Sequence, residues 1–250
     1  MPGATTVERA AATREMLKLD WQYPVYASTE APRTDETAVK AGRSALSLEE
    51  AVKYIAGNDP RPLLVLRECT VCNKTDDALL KQGADNEKTL IYTRWFHCVK
   101  LPVDVREKDH PFNALFPDDD AEHLFVAAAD GSHRLPLESD TSRTELWTSM
   151  DRVLSAVYAQ SPTDALKSVV RHIDRIDALH LRIVDLEARR SELMEKPNVD
   201  PARVKAVQAD IDEVKEQVAK ERAAIEELSR LELRAAAVPS SAGVPAKAGG

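Results

Sequence analysis

The chain has 250 residues, 43% of them hydrophobic and 30% charged, with a formal net charge of -8. That length allows one domain with an addition, or two small domains. The acidic balance argues against a general binder of nucleic acid or of anionic membranes. No apolar run reaches bilayer-spanning length, no apolar segment follows a basic start, and three cysteines do not make a disulfide framework. The expected compartment is therefore the reducing cytoplasm. Aromatic residues at 5% point to much helix with a narrow apolar seam.

Residues 1–45 read as an N-terminal arm. The spacing allows one helix over Glu8 to Leu19, and Trp21, Tyr23 and Tyr26 gather around Pro24. This cluster either packs on the domain that follows or belongs to an extended arm. A helix is expected from Ser47 to Gly57, with Ser47 as N-cap, Glu50 completing a capping box, and Ala51, Val52 and Ile55 on the apolar face. Asn58-Asp59-Pro60 follows as a turn. Leu63-Leu64-Val65-Leu66 is a continuous apolar run, as in a strand covered on both faces. It leads into Cys69 and Cys72, a C-x-x-C pair, and then into a helix whose apolar side includes Ala78, Leu79 and Leu80. A helix N-terminus carries partial positive charge and unpaired N–H groups, which favour a thiolate. The second cysteine lies one turn on, within reach to resolve a mixed disulfide.

Thr89 to Val105 is the next strand candidate, with Phe96, Cys98 and Lys100 alternating against Trp95, His97 and Val99. His110 to Asp120 reads as loop and short helix. His123 to Ala129 is a strand, Asp130-Gly131 a hairpin turn, and His133 to Leu137 the short partner. Ser139 to Tyr158 reads as a helix with Leu146, Trp147, Met150, Val153, Leu154 and Val157 on one face. The strands on either side of the cysteine helix need a crossover and so are expected to be parallel. The hairpin adds an antiparallel pair. The fold class is α/β, a mixed sheet with helices on both faces.

Residues 45–158, in the order helix, strand, C-x-x-C, helix, strand, strand, hairpin strand, helix, resemble the thioredoxin-like superfamily. The resemblance implies a domain over residues 46–160 in which Cys69 is the attacking thiol and Cys72 the resolving one. The sequence departs from the family pattern at four places, one being that Leu63–Leu66 offers no match for the buried acid that family members often carry on the strand before the motif. Glu68 stands where a tryptophan is usual, and a carboxylate there tends to raise a neighbouring thiol's pKa. Thr70-Val71 replaces Gly-Pro. Glu122 falls near the position of the usual cis-proline, with Pro117 several residues too early.

From Pro162 the composition shifts to Ala, Glu, Lys, Arg, Leu, Ile and Val. Leu166, Val169, Ile173, Ile176, Ile183 and Met194 recur at helical spacing. So do Val204, Val207, Ile211, Val214, Val218, Ile225 and Leu228, with Glu221 interrupting their heptad rhythm. Pro197 stops the first helix, Asp200 caps the second, and Pro201 takes its first turn. Residues 161–235 are thus expected to form an antiparallel two-helix coiled coil, each helix on the order of 45 Å long. Its seam carries His180, Glu187 and Arg190. Such a hairpin buries little, so it either forms a homo-oligomer or docks on a partner protein; a stalk held by surface ion pairs is the alternative. Residues 236–250 read as a low-complexity disordered tail.

Two readings of function stay open. In one, Cys69 and Cys72 are the catalytic pair of a thiol–disulfide oxidoreductase acting on a protein substrate. In the other, the same domain is a platform for a non-catalytic interaction protein. A C-x-x-C pair is also half of a zinc site, with His97-Cys98 as the other half. Neighbouring strand residues point to opposite faces, however, so no metal ligands and no cofactor are assigned. His110, His123 and His133 read as surface or loop residues, His172 and His180 share a helix face without a carboxylate pattern, and Lys74 reads as solvated helix surface.

Overall fold

The computed structural model describes residues 9–26, 45–69, 80, 86–116, 122–138 and 141–234. Its contacts divide into two compact units: Met1–Asp20, Asp77–Trp95 and Gln160–Leu231 in one, and Trp21–Asp76, Phe96–Ala159 and Glu232–Gly250 in the other.

The second unit is built on a four-stranded sheet of β1 (Leu63–Arg67), β2 (His97–Leu101), β3 (Glu122–Ala127) and β4 (Leu135–Glu138), in the order β2-β1-β3-β4. β1 and β2 run parallel, with Leu63 beside His97 and Arg67 beside Leu101. β1 and β3 are antiparallel, as are β3 and β4. The parallel pair and the antiparallel hairpin are both as the sequence leads one to expect, and the class is mixed α/β. Helix α2 (Leu48–Ala56) starts at a capping box: the Ser47 hydroxyl accepts from the Glu50 N–H, and Glu50 accepts from the Ser47 backbone. Its buried Ala51, Val52, Ile55 and Ala56 form one cluster with Leu63, Val65, Val99, Leu101, Phe125 and Ala127, the residues of one sheet face. Alternation puts Leu64, Leu66, Leu124 and Val126, also buried, on the other face. Helix α4 (Arg143–Val157) packs against β3 with Leu146, Met150, Val153 and Leu154 fully buried.

At the hairpin turn Gly131 has φ +83°, and a Cβ there would lie 3.2 Å from the Val52 Cγ1. The positive φ favours glycine at this turn, and a side chain there would also press on Val52 of α2. Of the aromatic residues in the arm, Tyr26 joins this core, edge-on to Tyr54 at 5.2 Å and to Phe112 at 6.4 Å. Gln22 bridges the outer edge of β2: its N–H donates to the Cys98 carbonyl, and the Lys100 N–H donates to the Gln22 carbonyl. Tyr23 stays exposed.

The other unit holds α1 (Ala11–Arg14), α3 (Glu87–Thr93), α5 (Pro162–Met194) and α6 (Pro201–Leu228). One expectation fails here. The helix expected over Glu8–Leu19 is one turn, Ala11–Arg14. Within the strand candidate Thr89–Val105, whose start the mixed pattern leaves open, the strand begins at His97, because Glu87–Thr93 is helical. Every residue of that helix from Thr89 to Thr93 is buried, and a helix apolar all round leaves no period for sequence inspection to find. α5 and α6 run antiparallel side by side, with His172 against Glu221 near one end and Arg190 against Gln208 near the other. Val169, Ile173 and Ile176 of α5 and Ile211, Val214 and Ile225 of α6 are buried. Asp200 caps α6 by accepting from the Ala202 N–H, with Pro201 in the first turn. Glu221, the break in the heptad rhythm, is satisfied by His172 and by Arg175 at 3.6 Å.

Candidate functional site

The cysteine motif begins where β1 ends. Leu63, Val65 and Arg67 share the face that α2 covers, so the strand's alternation carries a guanidinium into the end of the core; Arg67 is only 5% exposed. The ladder continues one residue past β1, the Glu68 N–H donating to the Leu101 carbonyl at 2.9 Å. Cys69 follows immediately. β1 is flanked by β2 on one side and β3 on the other, so this sulfur leaves the sheet from a central strand. Cys69 is half-buried and held in a disulfide whose other sulfur lies outside the described residues. Cys72, Thr70, Val71, Lys74, Ala78 and Leu79 also lie outside them; Leu80 is buried.

The two residues before Cys69 are paired with groups from the neighbouring strands. The Glu68 carboxylate pairs with Lys100 Nζ of β2 at 2.8 Å, which offsets the negative charge that the sequence places beside the thiol. Arg67 Nη2 donates to His123 Nδ1 at 2.9 Å, and the guanidinium reaches the Glu122 carbonyl at 3.4 Å. It also lies over the Phe116 ring at 5.8 Å. Because an arginine can only donate, His123 must accept at Nδ1 and carry its proton on Nε2. Burial lowers the pKa of His123, and the positive charges of Arg67 and Arg106 lower it further. The Glu122 carboxylate is taken by Arg134 at 2.6 Å, which also donates to the Leu115 carbonyl. Extending the β1–β3 register by one pair places Arg67 directly opposite His123.

Of the histidines expected at the surface or in loops, His110 lies in a loop but is buried, and His123 lies in neither place. His123 sits on β3 inside the sheet, and His110 accepts the Phe112 N–H at Nδ1 while its ring packs 5.7 Å from Phe112. His97 and Cys98 do point apart. His97 contacts Asp59 and the Ile55 carbonyl, both at 3.0 Å, whereas Cys98 is a buried thiol, outside any disulfide, whose Sγ lies 3.9 Å from the Phe96 carbonyl. Among the described residues no group of three His, Cys, Asp or Glu side chains is placed to hold a metal ion, and none of their helices is long and apolar enough to cross a membrane.

Sequence reading singled out the cysteines and Glu68 but missed Arg67, Lys100 and His123. One signal was present for Arg67. It lies in phase with Leu63 and Val65, at a position that alternation sends inward, where an arginine is rarely found without a partner. Comparison with protein-family models, with curated proteins and with solved structures gives no match.

Proposed function

We propose that this chain is a thiol–disulfide exchange protein of thioredoxin-like build. Support comes from a parallel strand pair leading into and out of the motif segment, an antiparallel hairpin after it, and a closing helix on the sheet. The observation that carries the reading is Cys69 itself: a half-buried, disulfide-bonded cysteine two residues past the end of a central strand. In a reducing cytoplasm, such a disulfide belongs to an exchanging pair more often than to a structural brace.

In the proposed cycle the Cys69 thiolate attacks one sulfur of a protein disulfide. A mixed disulfide forms, and the first substrate sulfur leaves as a thiolate that takes a proton from water. Cys72 then attacks the Cys69 sulfur, closes the Cys69–Cys72 disulfide and expels the second substrate thiolate. Two electrons pass to the substrate, and a dithiol reductant restores the pair. Reduction of a model protein disulfide by the full chain is expected to fall by more than a hundredfold in Cys69→Ser; equal activity ends the proposal.

A second reading takes the chain as an interaction protein whose working surface is the helical hairpin. Leu181 and Val184 are 69% and 61% exposed, with Met194 and Val199 uncovered toward the turn. Such residues suit a homo-oligomer or a docked partner protein. Sedimentation of the full chain against Leu181→Glu/Val184→Glu tests self-association, and the same monomeric mass for both refutes it.

A further inference from the structure

The turn end of the helical hairpin carries an open groove of about 590 Å³. Helix α5 gives it Arg190 and Met194, one turn apart, and α6 gives it Pro201, Val204 and Lys205. Val199 joins them from the link between the helices, and Gln208 from two turns along α6. The floor is apolar and uncovered: Met194 is 59% exposed and Val199 43%. Among the described residues that line the groove there is no carboxylate, and its two charges are both positive, one from each helix. Arg190 is turned to the Gln208 amide oxygen, which is neutral. The nearby acids are engaged elsewhere, Asp200 by the Ala202 N–H and by Arg203 at 3.4 Å, and Asp212 by the Gln208 amide at 2.9 Å.

We infer that this groove docks a short helical segment of a partner protein, one that presents a large apolar side chain between carboxylates. The inference rests on the interaction reading above and not on the thiol chemistry. Pro201 to Gln208 spans about 10 Å of helix, room for one or two turns of an incoming helix. Apolar side chains of that segment cover Met194, Val199 and Val204, and the unbranched Met194 adapts its shape to them. Arg190 and Lys205 meet its carboxylates, Arg190 through the forked N–H groups that suit a carboxylate.

Charge selects this occupant over the others. The whole chain carries -8, yet exposed charges more than about 8 Å apart are largely screened at physiological salt. An occupant of the groove therefore responds to Arg190 and Lys205 rather than to the net charge. A second copy seated by two-fold symmetry sets a patch against itself. Arg190 and Lys205 would then face the same two cations, which costs affinity. An anionic membrane is drawn by clusters of about four to eight basic residues, and only Arg190 and Lys205 line this groove.

The test uses the full-length protein and two labelled helical peptides, followed by fluorescence anisotropy. Both peptides carry leucine along one face; glutamates flank it in one and lysines in the other. The glutamate peptide should bind saturably, about tenfold tighter than the lysine peptide, and weaken as salt is added. Arg190→Glu/Lys205→Glu should reverse the preference. Met194→Ser/Val199→Ser should weaken the glutamate peptide about tenfold, whereas Leu181→Glu/Val184→Glu should leave it unchanged. Far-UV circular dichroism confirms that each variant keeps its helices. Equal binding of the two peptides, no saturable binding, or a preference that survives the charge reversal overturns the proposal. So does self-association that Met194→Ser/Val199→Ser abolishes, which puts a second copy in the groove, or tighter binding to phosphatidylserine vesicles than to either peptide, which puts a membrane there. If the peptides fail while Leu181→Glu/Val184→Glu still changes the sedimenting mass, only the groove is lost and the interaction reading stands; if both fail, that reading falls with it.

Discussion

Replacing Arg9 by Met should unfold the hairpin-bearing unit far more readily than any surface change. Arg9 Nε and Nη2 donate to the two Glu87 carboxylate oxygens, both at 2.7 Å, and Nη1 donates to Asp174 at 2.6 Å and Asp177 at 2.9 Å. Asp177 also accepts from the Ala10 N–H and, at 2.6 Å, from the Thr13 hydroxyl. The side chains of Arg9, Glu87 and Asp177 are 9%, 14% and 12% exposed, and that of Asp174 is 57% exposed. The first three form a nearly dry cluster, whereas the pair with Asp174 is largely solvated and contributes at most about 1 kcal/mol. Removing the cation strands two carboxylates away from water, which costs on the order of 3–5 kcal/mol. Urea unfolding followed by far-UV circular dichroism should show that loss in Arg9→Met, with Arg9→Lys in between because an ammonium cannot make the paired contact with Glu87. The triple variant Arg9→Met/Glu87→Gln/Asp177→Asn should recover most of it, since no buried charge is then left alone. A loss below about 1 kcal/mol in Arg9→Met would refute the claim that the strand-less N-terminal segment is locked to α3 and α5 by this charge.

Two further outcomes follow from the sheet unit. The pKa of His123 lies below its ordinary value, so folding favours the neutral ring; the stability this gives is whole above the unfolded pKa of about 6.5 and is lost as pH falls through the lower folded value. His123→Gln should flatten the fall in stability across that acid window, and an unchanged slope by urea titration at each pH would count against the buried placement. Gly131→Ala should cost about 1–2 kcal/mol, because the turn demands positive φ and the new methyl would press on Val52; wild-type stability by the same assay would show that the turn relaxes freely.

Much of the architecture is written locally. Ser47 and Glu50 announce α2, Asp200-Pro201 announces α6, Asp130-Gly131 announces the hairpin, and each signal acts within a few residues of itself. The strand of Leu63–Leu66 and the long seams of α5 and α6 are legible for the same reason, since burial on one side imposes a period on the chain. Thr89–Thr93 is not legible, because helix and strand predict the same unbroken run of buried residues. His123 is not legible either: a histidine before Leu-Phe-Val is equally at home in a loop, and only its pairing with Arg67 across β1 and β3 explains its burial.

What the sequence determined by itself is the kind of chemistry on offer: two thiols at C-x-x-C spacing behind an apolar strand, and a long amphipathic pair of helices. What only the tertiary structure decided is the pairing of charges at the end of β1. Glu68 is a neighbour in sequence and Arg67 an oddity at a strand end, yet Lys100 and His123 come from other strands, 32 and 55 residues away from Glu68 as counted along the chain. Electrostatic influence depends on distance through space and on the loss of water between charges. Neither is a property of the chain until the strands pair.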